Sequence, residues 1–270
     1  MCGPPDPRPI SLAHTVSGTG RPVLLLHGLA GSQRYWDPVL DGLDGDVRAC
    51  TVDLLGFGSS PWPADAAYDV DCHLEAIEPL LESGSIVVGH SAGAILAVAL
   101  ARRHPETVAG VVVTGLPLYP DRQTARESIE TLSPLARWTA EGDWRARWAC
   151  GLMCRFRPVA IALAPRLRRD LPAEVAADGA RHTWPSYSRT LERVVLAHDT
   201  AADLTQLALP VTVVQGSHDR VAPPAFVHGA FAALPADSRS RIEIREVAAD
   251  HHVAHRRPAA IVDPILTLVS

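Results

Sequence analysis

The chain has 270 residues, of which 47% are hydrophobic, with 25 basic Lys/Arg, 30 acidic Asp/Glu and a formal charge of -5. That length suits one large α/β domain carrying an insertion, and the composition excludes a disordered chain and offers no basic footprint for nucleic acid. No apolar run approaches the roughly 20 residues of a membrane span, so a soluble protein acting on a small molecule is expected.

Along the chain, short apolar runs alternate with longer segments of helical period, the pattern of a parallel sheet with helices on both faces. The sheet is expected to begin within Ile10–Val16, ended by the Ser17-Gly18-Thr19-Gly20 turn, and to continue with strands near Val23–His27 and Val47–Val52. Further strands are expected near Ile86–Gly89, Val111–Thr114, Val211–Gln215 and Ile242–Val247. Helices are expected near Trp36–Leu43, Val70–Leu81, Ala92–Arg103, Pro224–Leu234 and Pro258–Val269. The segment from Leu116 to Leu204 breaks this rhythm. It is rich in arginine, tryptophan and proline, reads as several short helices, and divides the chain into a core of 1–115 with 205–270 and an inserted helical cap of 116–204. Four of the six tryptophans, Trp138, Trp144, Trp148 and Trp184, lie there as candidates for an apolar roof over a substrate pocket, or else pack the cap's own small core.

All 25 basic residues are arginine and asparagine is absent, which reads as high-GC coding and not as mechanism. Cys2, Cys50, Cys72, Cys150 and Cys154 are odd in number, lack C-x-x-C spacing and follow no apolar leader, so a reducing cytoplasm is expected. Cys150 and Cys154 share a helix face, but the further ligands a metal needs are not evident. Thirteen arginines and eleven carboxylates fall in 116–204, consistent with a solvated surface or with a patch for an acidic carrier or coenzyme A tail.

The most informative string is Gly89-His90-Ser91-Ala92-Gly93, directly after an apolar run and directly before a helical one. A serine on such a strand-to-helix turn is held clear of the sheet, and the next backbone N–H lies at a helix N-terminus, where developing negative charge is stabilised. A serine hydroxyl needs a base within reach and a carboxylate to orient that base. Asp219 follows the run Val211–Val214 and His251 follows the next strand, so both should emerge at the same sheet edge as Ser91, in the chain order Ser, Asp, His. His252 competes with His251, and Asp250 with Asp219. Asp250 adjoins the histidine and reads as a turn-shaping carboxylate. His27 and His90 read as backbone-bonding histidines, and Asp53, Gly56 and Gly58 as a tight loop beside the site.

These motifs, with His27-Gly28-Leu29 after the first long strand and Asp53-Leu54-Leu55-Gly56-Phe57-Gly58 after the next, resemble the α/β-hydrolase superfamily over nearly all the chain outside the cap. The resemblance implies a mostly parallel eight-stranded sheet and an oxyanion site from the backbone N–H groups of Leu29 and Ala92. The proline seven residues after the family's catalytic histidine matches Pro258 and favours His251. The expected activity is a cofactor-independent, metal-free serine hydrolase of esters, thioesters or lactones. Two alternatives are a non-hydrolytic lyase, cyclase or decarboxylase of secondary metabolism, and a ligand-binding protein that keeps the scaffold. Oligomeric state is not legible.

Overall fold

The computed structural model describes residues 10–43, 45–131 and 144–270. Its strands are β1 (His14–Ser17), β2 (Arg21–Leu26), β3 (Val47–Val52), β4 (Ser85–His90), β5 (Val108–Thr114), β6 (Val211–Gly216) and β7 (Ile242–Val247). They form one sheet in the order β1-β3-β2-β4-β5-β6-β7. Only the β1–β3 pair is antiparallel. Seven strands are therefore present among the described residues where eight were expected. In the lead-in to β1, Leu12 is buried, the Ala13 N–H donates to Ser60 Oγ at 2.9 Å, and the Ala13 carbonyl accepts the Asp53 N–H at 2.8 Å. The bond between Asp53 and Ala13 carries the antiparallel β1–β3 pairing one residue beyond His14 and Val52.

The strands are buried on both faces, as β-branched runs in a parallel sheet should be. Leu24, Leu26, Val87, Val111, Val113 and Val213 point to one core, and Val23, Leu25, Ile86, Val88, Val112 and Val214 to the other. Around them lie α1 (Asp37–Leu40), α2 (Val70–Ile77), α3 (Ala92–Arg103), α4 (Arg122–Glu130), α5 (Trp144–Arg155), α6 (Arg157–Leu167), α7 (Ala173–Asp178), α8 (Trp184–Thr190) and α9 (Thr200–Gln206). The chain ends with α10 (Pro224–Ala233), α11 (Ala236–Arg239), α12 (Val253–Arg256) and α13 (Ala259–Val269). Helices α2, α3, α9 and α10 cover the first core; α1, α12 and α13 cover the second. The expected helix over 70–81 tightens to a 3-10 turn at Glu78–Leu80, because Pro79 has no N–H to continue the α pattern.

Helix α3 is buried from Ala92 through Ala101, and its small residues let it lie close against the strands. Between β5 and β6 the described chain is helical, apart from an isolated bridge between Phe57 and His182. The order reverses between β2 and β4, so a crevice opens at their carboxyl ends, where open α/β sheets bind ligands. Leu26, Gly89, Val113 and Val213 stand in one row across the sheet, which brings the loops after β2, β4, β5 and β6 out level with one another.

His73 of α2 is fully buried, hydrogen-bonded to Thr190 Oγ1 of α8 at 3.0 Å, and burial lowers its pKa from 6.5 to about 4. The unfolded chain therefore binds a proton that the folded site resists. The resulting stability is complete above about pH 6.5 and is lost as pH falls through about 4, at about 1.4 kcal/mol per pH unit inside that window. Urea denaturation between about pH 7 and about pH 5 should show a falling midpoint, with a shallower slope in His73→Gln.

Candidate active site

Ser91 occupies the turn from β4 into α3 at φ +53° and ψ −118°, a strained backbone for a residue with a Cβ. Both flanking glycines are required by space. A Cβ on Gly89 would stand 2.4 Å from the Gly93 carbonyl oxygen, and one on Gly93 would stand 2.2 Å from the Leu26 carbonyl oxygen. The first turn of α3 is thus pressed onto the carboxyl end of β2. The Ser91 N–H donates to the Thr114 carbonyl at 3.0 Å, tying the turn to the end of β5.

Asp219 follows β6 and has a fully buried carboxylate. Its Oδ1 accepts the backbone N–H groups of Val221 and Ala222, each at 2.8 Å, and its Oδ2 accepts Nδ1–H of His251 at 2.8 Å. Tyr119, from the segment after β5, donates its hydroxyl to the Val221 carbonyl and steadies that loop. With the His251 proton held on Nδ1, the neutral ring carries its lone pair on Nε2. The His251 side chain is 12% exposed, enough for a substrate to meet it.

Gly115 closes the arrangement. It has φ +57°, and a Cβ there would fall 2.8 Å from His251 Nδ1, so only glycine leaves room for the imidazole beside the β5 end that also holds Ser91. Ser91, Asp219 and His251 therefore all emerge at one sheet edge.

His252 and Asp250 face elsewhere. His252 Nε2 lies 3.3 Å from Asp170 Oδ2, and burial lowers its pKa to about 4. Asp250 accepts the His252 N–H at 2.9 Å and binds Arg256, which shapes the turn.

His90 is buried, donates Nε2–H to the His251 carbonyl at 3.0 Å and stacks on Tyr35 with ring centroids 4.2 Å apart. Burial holds its pKa well below 6.5, reinforced by charge on His251 and His252, so the ring stays neutral beside the site. His27 donates Nδ1–H to the Gly28 carbonyl at 2.7 Å and accepts the Leu54 N–H on Nε2 at 3.0 Å. Both histidines thus bond backbone, and His27 joins the loop after β2 to the loop after β3. Asp53 knits that second loop, accepting the N–H groups of Gln33 at 2.7 Å and Ser59 at 2.8 Å. A Cβ on Gly58 would collide with the Asp53 carboxylate at 2.4 Å, hence the glycine at φ +57°.

Leu29 sits in the turn after β2, closed by a Gly31 N–H to Gly28 carbonyl bond of 3.0 Å. A Cβ on Gly28 would lie 3.0 Å from Ser91 Cβ and 2.8 Å from His90 Nδ1, which shows how closely this turn approaches the serine. Ala92 is the first residue of α3, so its N–H has no intrahelical acceptor. Leu29 thus follows the end of β2 and Ala92 the end of β4, the two neighbouring strands at which the sheet order reverses.

Of the four tryptophans, Trp138 lies outside the described residues. Trp184 is half-buried at the start of α8, and Trp144 and Trp148 are 70% and 65% exposed on α5. The residues that α5 buries are the small ones, Ala146 and Cys150. Cys50, Cys150 and Cys154 are free thiols, and no cluster of metal ligands occurs among the described residues. Cys72 is disulfide-bonded. No described helix is long and apolar enough to cross a membrane. Sequence reading missed Tyr35 and Gly115. Gly115 carries a faint signal, a glycine directly after the apolar run 111–114, whereas Tyr35 carries none.

A model of the alpha/beta hydrolase family matches residues 23–263. A probable lysophospholipase of Arabidopsis thaliana, BODYGUARD 4, is 28% identical over 237 residues, covering 79% of this chain and 56% of that protein. The biotin biosynthesis bifunctional protein BioHC of Cellvibrio japonicus is 32% identical over 213 residues, covering 76% of this chain and 40% of that protein. The chain spans about half the length of the curated relatives it matches. Among solved structures, a bromoperoxidase from Bacillus anthracis superposes with a TM-score of 0.71 at 19% identity, covering 97% of this chain and 96% of that one. Esterase RhEst1 from a Rhodococcus species gives 0.67 at 21% identity, covering 96% and 94%. Identities this low show a shared fold.

Proposed function

The chain belongs to the alpha/beta hydrolase family, and on that premise we propose a serine hydrolase of an ester, thioester or lactone-type substrate, working without a cofactor. Ser91 attacks the carbonyl while His251 Nε2 takes its proton; the same imidazolium then protonates the leaving group. Asp219 holds the imidazole tautomer and stabilises the imidazolium. The N–H groups of Leu29 and Ala92 receive the oxyanion, each such donor contributing about 3 kcal/mol to the transition state. Water, activated by His251, releases the acyl group from Ser91.

The observation that carries this reading is the 2.8 Å bond from His251 Nδ1 to a fully buried Asp219, beside a serine held at φ +53°. A structural serine has no need of that backbone strain, and a binding protein has no need of an imidazole poised with a free Nε2. The helices of 116–204 serve in this reading as a cap over the crevice, with Trp184 as a wall. Core and cap divide at about Leu116 and Leu204.

A fluorophosphonate probe tests the reading. The wild-type chain should gain one adduct, located at Ser91 by peptide mass spectrometry, and hydrolysis of an activated ester should stop in step with labelling. An accessible Ser91 that stays unlabelled, in a folded chain inactive on activated esters, would overturn it. Turnover surviving Ser91→Ala but lost in His251→Ala would point to acid–base chemistry without an acyl-enzyme.

A further inference from the structure

Residues 144–169, which span α5 and α6, contain seven arginines and no Asp, Glu, Ser, Thr, Asn, Gln, Tyr or His, in a chain whose formal charge is -5. Every other side chain there is apolar or a thiol. Trp144, Trp148 and Leu152 follow one another at intervals of four along α5, Phe156 stands at the junction, and Val159, Leu163 and Leu167 continue the row along α6. All seven are exposed, Leu167 to 80%. Helix α6 buries no residue at all. An apolar helix without a buried face gains little packing to offset the entropy of ordering it, and an exposed apolar row of this extent marks a surface that something covers.

We propose that the α5–α6 face seats on an anionic lipid bilayer. A protein partner's rim calls for both donors and acceptors, but the only strongly polar side chains here are arginines, which donate and never accept. The matching surface is one that only accepts and is negatively charged, with hydrocarbon beneath it. Phosphate headgroups over acyl chains have that chemistry. The arginines stand among the apolar residues they would flank in a bilayer, with the Arg145 guanidinium 5.6 Å from the Trp144 ring and that of Arg155 5.5 Å from the Phe156 ring. Trp144, Arg147, Trp148, Leu152 and Arg155 border an open depression of about 530 Å³ that pairs cationic with aromatic walls. The face is also wired to the site's edge. Cys154 Sγ and Arg157 donate to the His182 carbonyl at 3.3 and 3.0 Å, His182 bridges to Phe57, and the Phe57 ring meets His27 edge-on at 6.2 Å.

Co-sedimentation of the full chain with vesicles tests the proposal independently of the hydrolase chemistry. The chain should sediment with phosphatidylcholine vesicles containing about one-third phosphatidylglycerol and far less with phosphatidylcholine alone. Binding should weaken as ionic strength rises from about 0.1 M to about 1 M, where the screening length falls from about 10 Å to about 3 Å. Arg147→Gln with Arg155→Gln should lower partitioning about tenfold or more, and Leu163→Ser with Leu167→Ser should do likewise. Both double variants change exposed positions, so their melting temperatures and their turnover of a soluble activated ester should match wild type. No binding to anionic vesicles, or equal binding by wild type and both variants, overturns the proposal. A concentration-dependent dimer that forms without lipid and that Leu163→Ser with Leu167→Ser abolishes would assign the face to a second copy of the chain and overturn it too.

Discussion

Asp219→Asn is expected to lower kcat for hydrolysis of an activated ester by about ten-thousand-fold, with the fold intact and KM little changed. The Asp219 carboxylate is fully buried and receives three donors, two backbone amides on Oδ1 and the imidazole on Oδ2. An asparagine can keep its oxygen on Val221 and Ala222, which preserves the loop. Its amide nitrogen then faces His251 Nδ1 as a donor, which forces that nitrogen to accept and moves the ring proton to Nε2. The lone pair that should take the serine proton is lost. Ser91→Ala should cost more, about a million-fold, because the bond-forming oxygen itself is removed. Steady-state kinetics beside a thermal melt decides the matter. An Asp219→Asn enzyme within tenfold of wild-type kcat would show that Asp219 does not orient the base, and equal losses with a collapsed melt would show that its work is structural.

Much of this arrangement is legible in the sequence because each candidate residue follows an apolar run that becomes a strand. A parallel sheet puts the ends of such runs on one edge, so Ser91, Asp219 and His251 could be grouped before any contact was known. The choice between His251 and His252 could not be settled that way. It rests on side-chain direction, and only the structure turns one ring to Asp219 and the other to Asp170. Contacts that cross the sheet leave no local pattern either. Tyr35 stacks on His90 although 55 positions separate them in sequence. The described residues between β5 and β6 are helical, as the composition of that stretch suggests, but composition does not say which way the helices face. Bulky tryptophans are ordinarily the residues a helix buries, and α5 instead buries alanine and cysteine and turns Trp144 and Trp148 outward.

The second large effect is expected at Gly93, two residues past the serine. In Gly93→Ala the new methyl would stand 2.2 Å from the Leu26 carbonyl oxygen and 2.4 Å from that of His27. Both are backbone atoms of the central strand and its exit, so no side-chain rotation relieves the clash and α3 must back away from the sheet. Overpacking of this kind costs about 3 kcal/mol or more, which for a chain of this size lowers Tm by roughly 10 °C. Activity should fall further than the folded fraction does, because the displacement carries the Ala92 N–H and Ser91 away from the Gly28–Leu29 turn. Gly151→Ala is the matched control: nothing stands within 4 Å of a Cβ there, and alanine is the better helix former by about 1 kcal/mol. A Gly93→Ala chain that melts with wild type and keeps its kcat would mean that α3 is not pressed on β2. A chain that melts low but, below its transition, keeps wild-type kcat per folded molecule would separate the packing of α3 from the chemistry at its N-terminus.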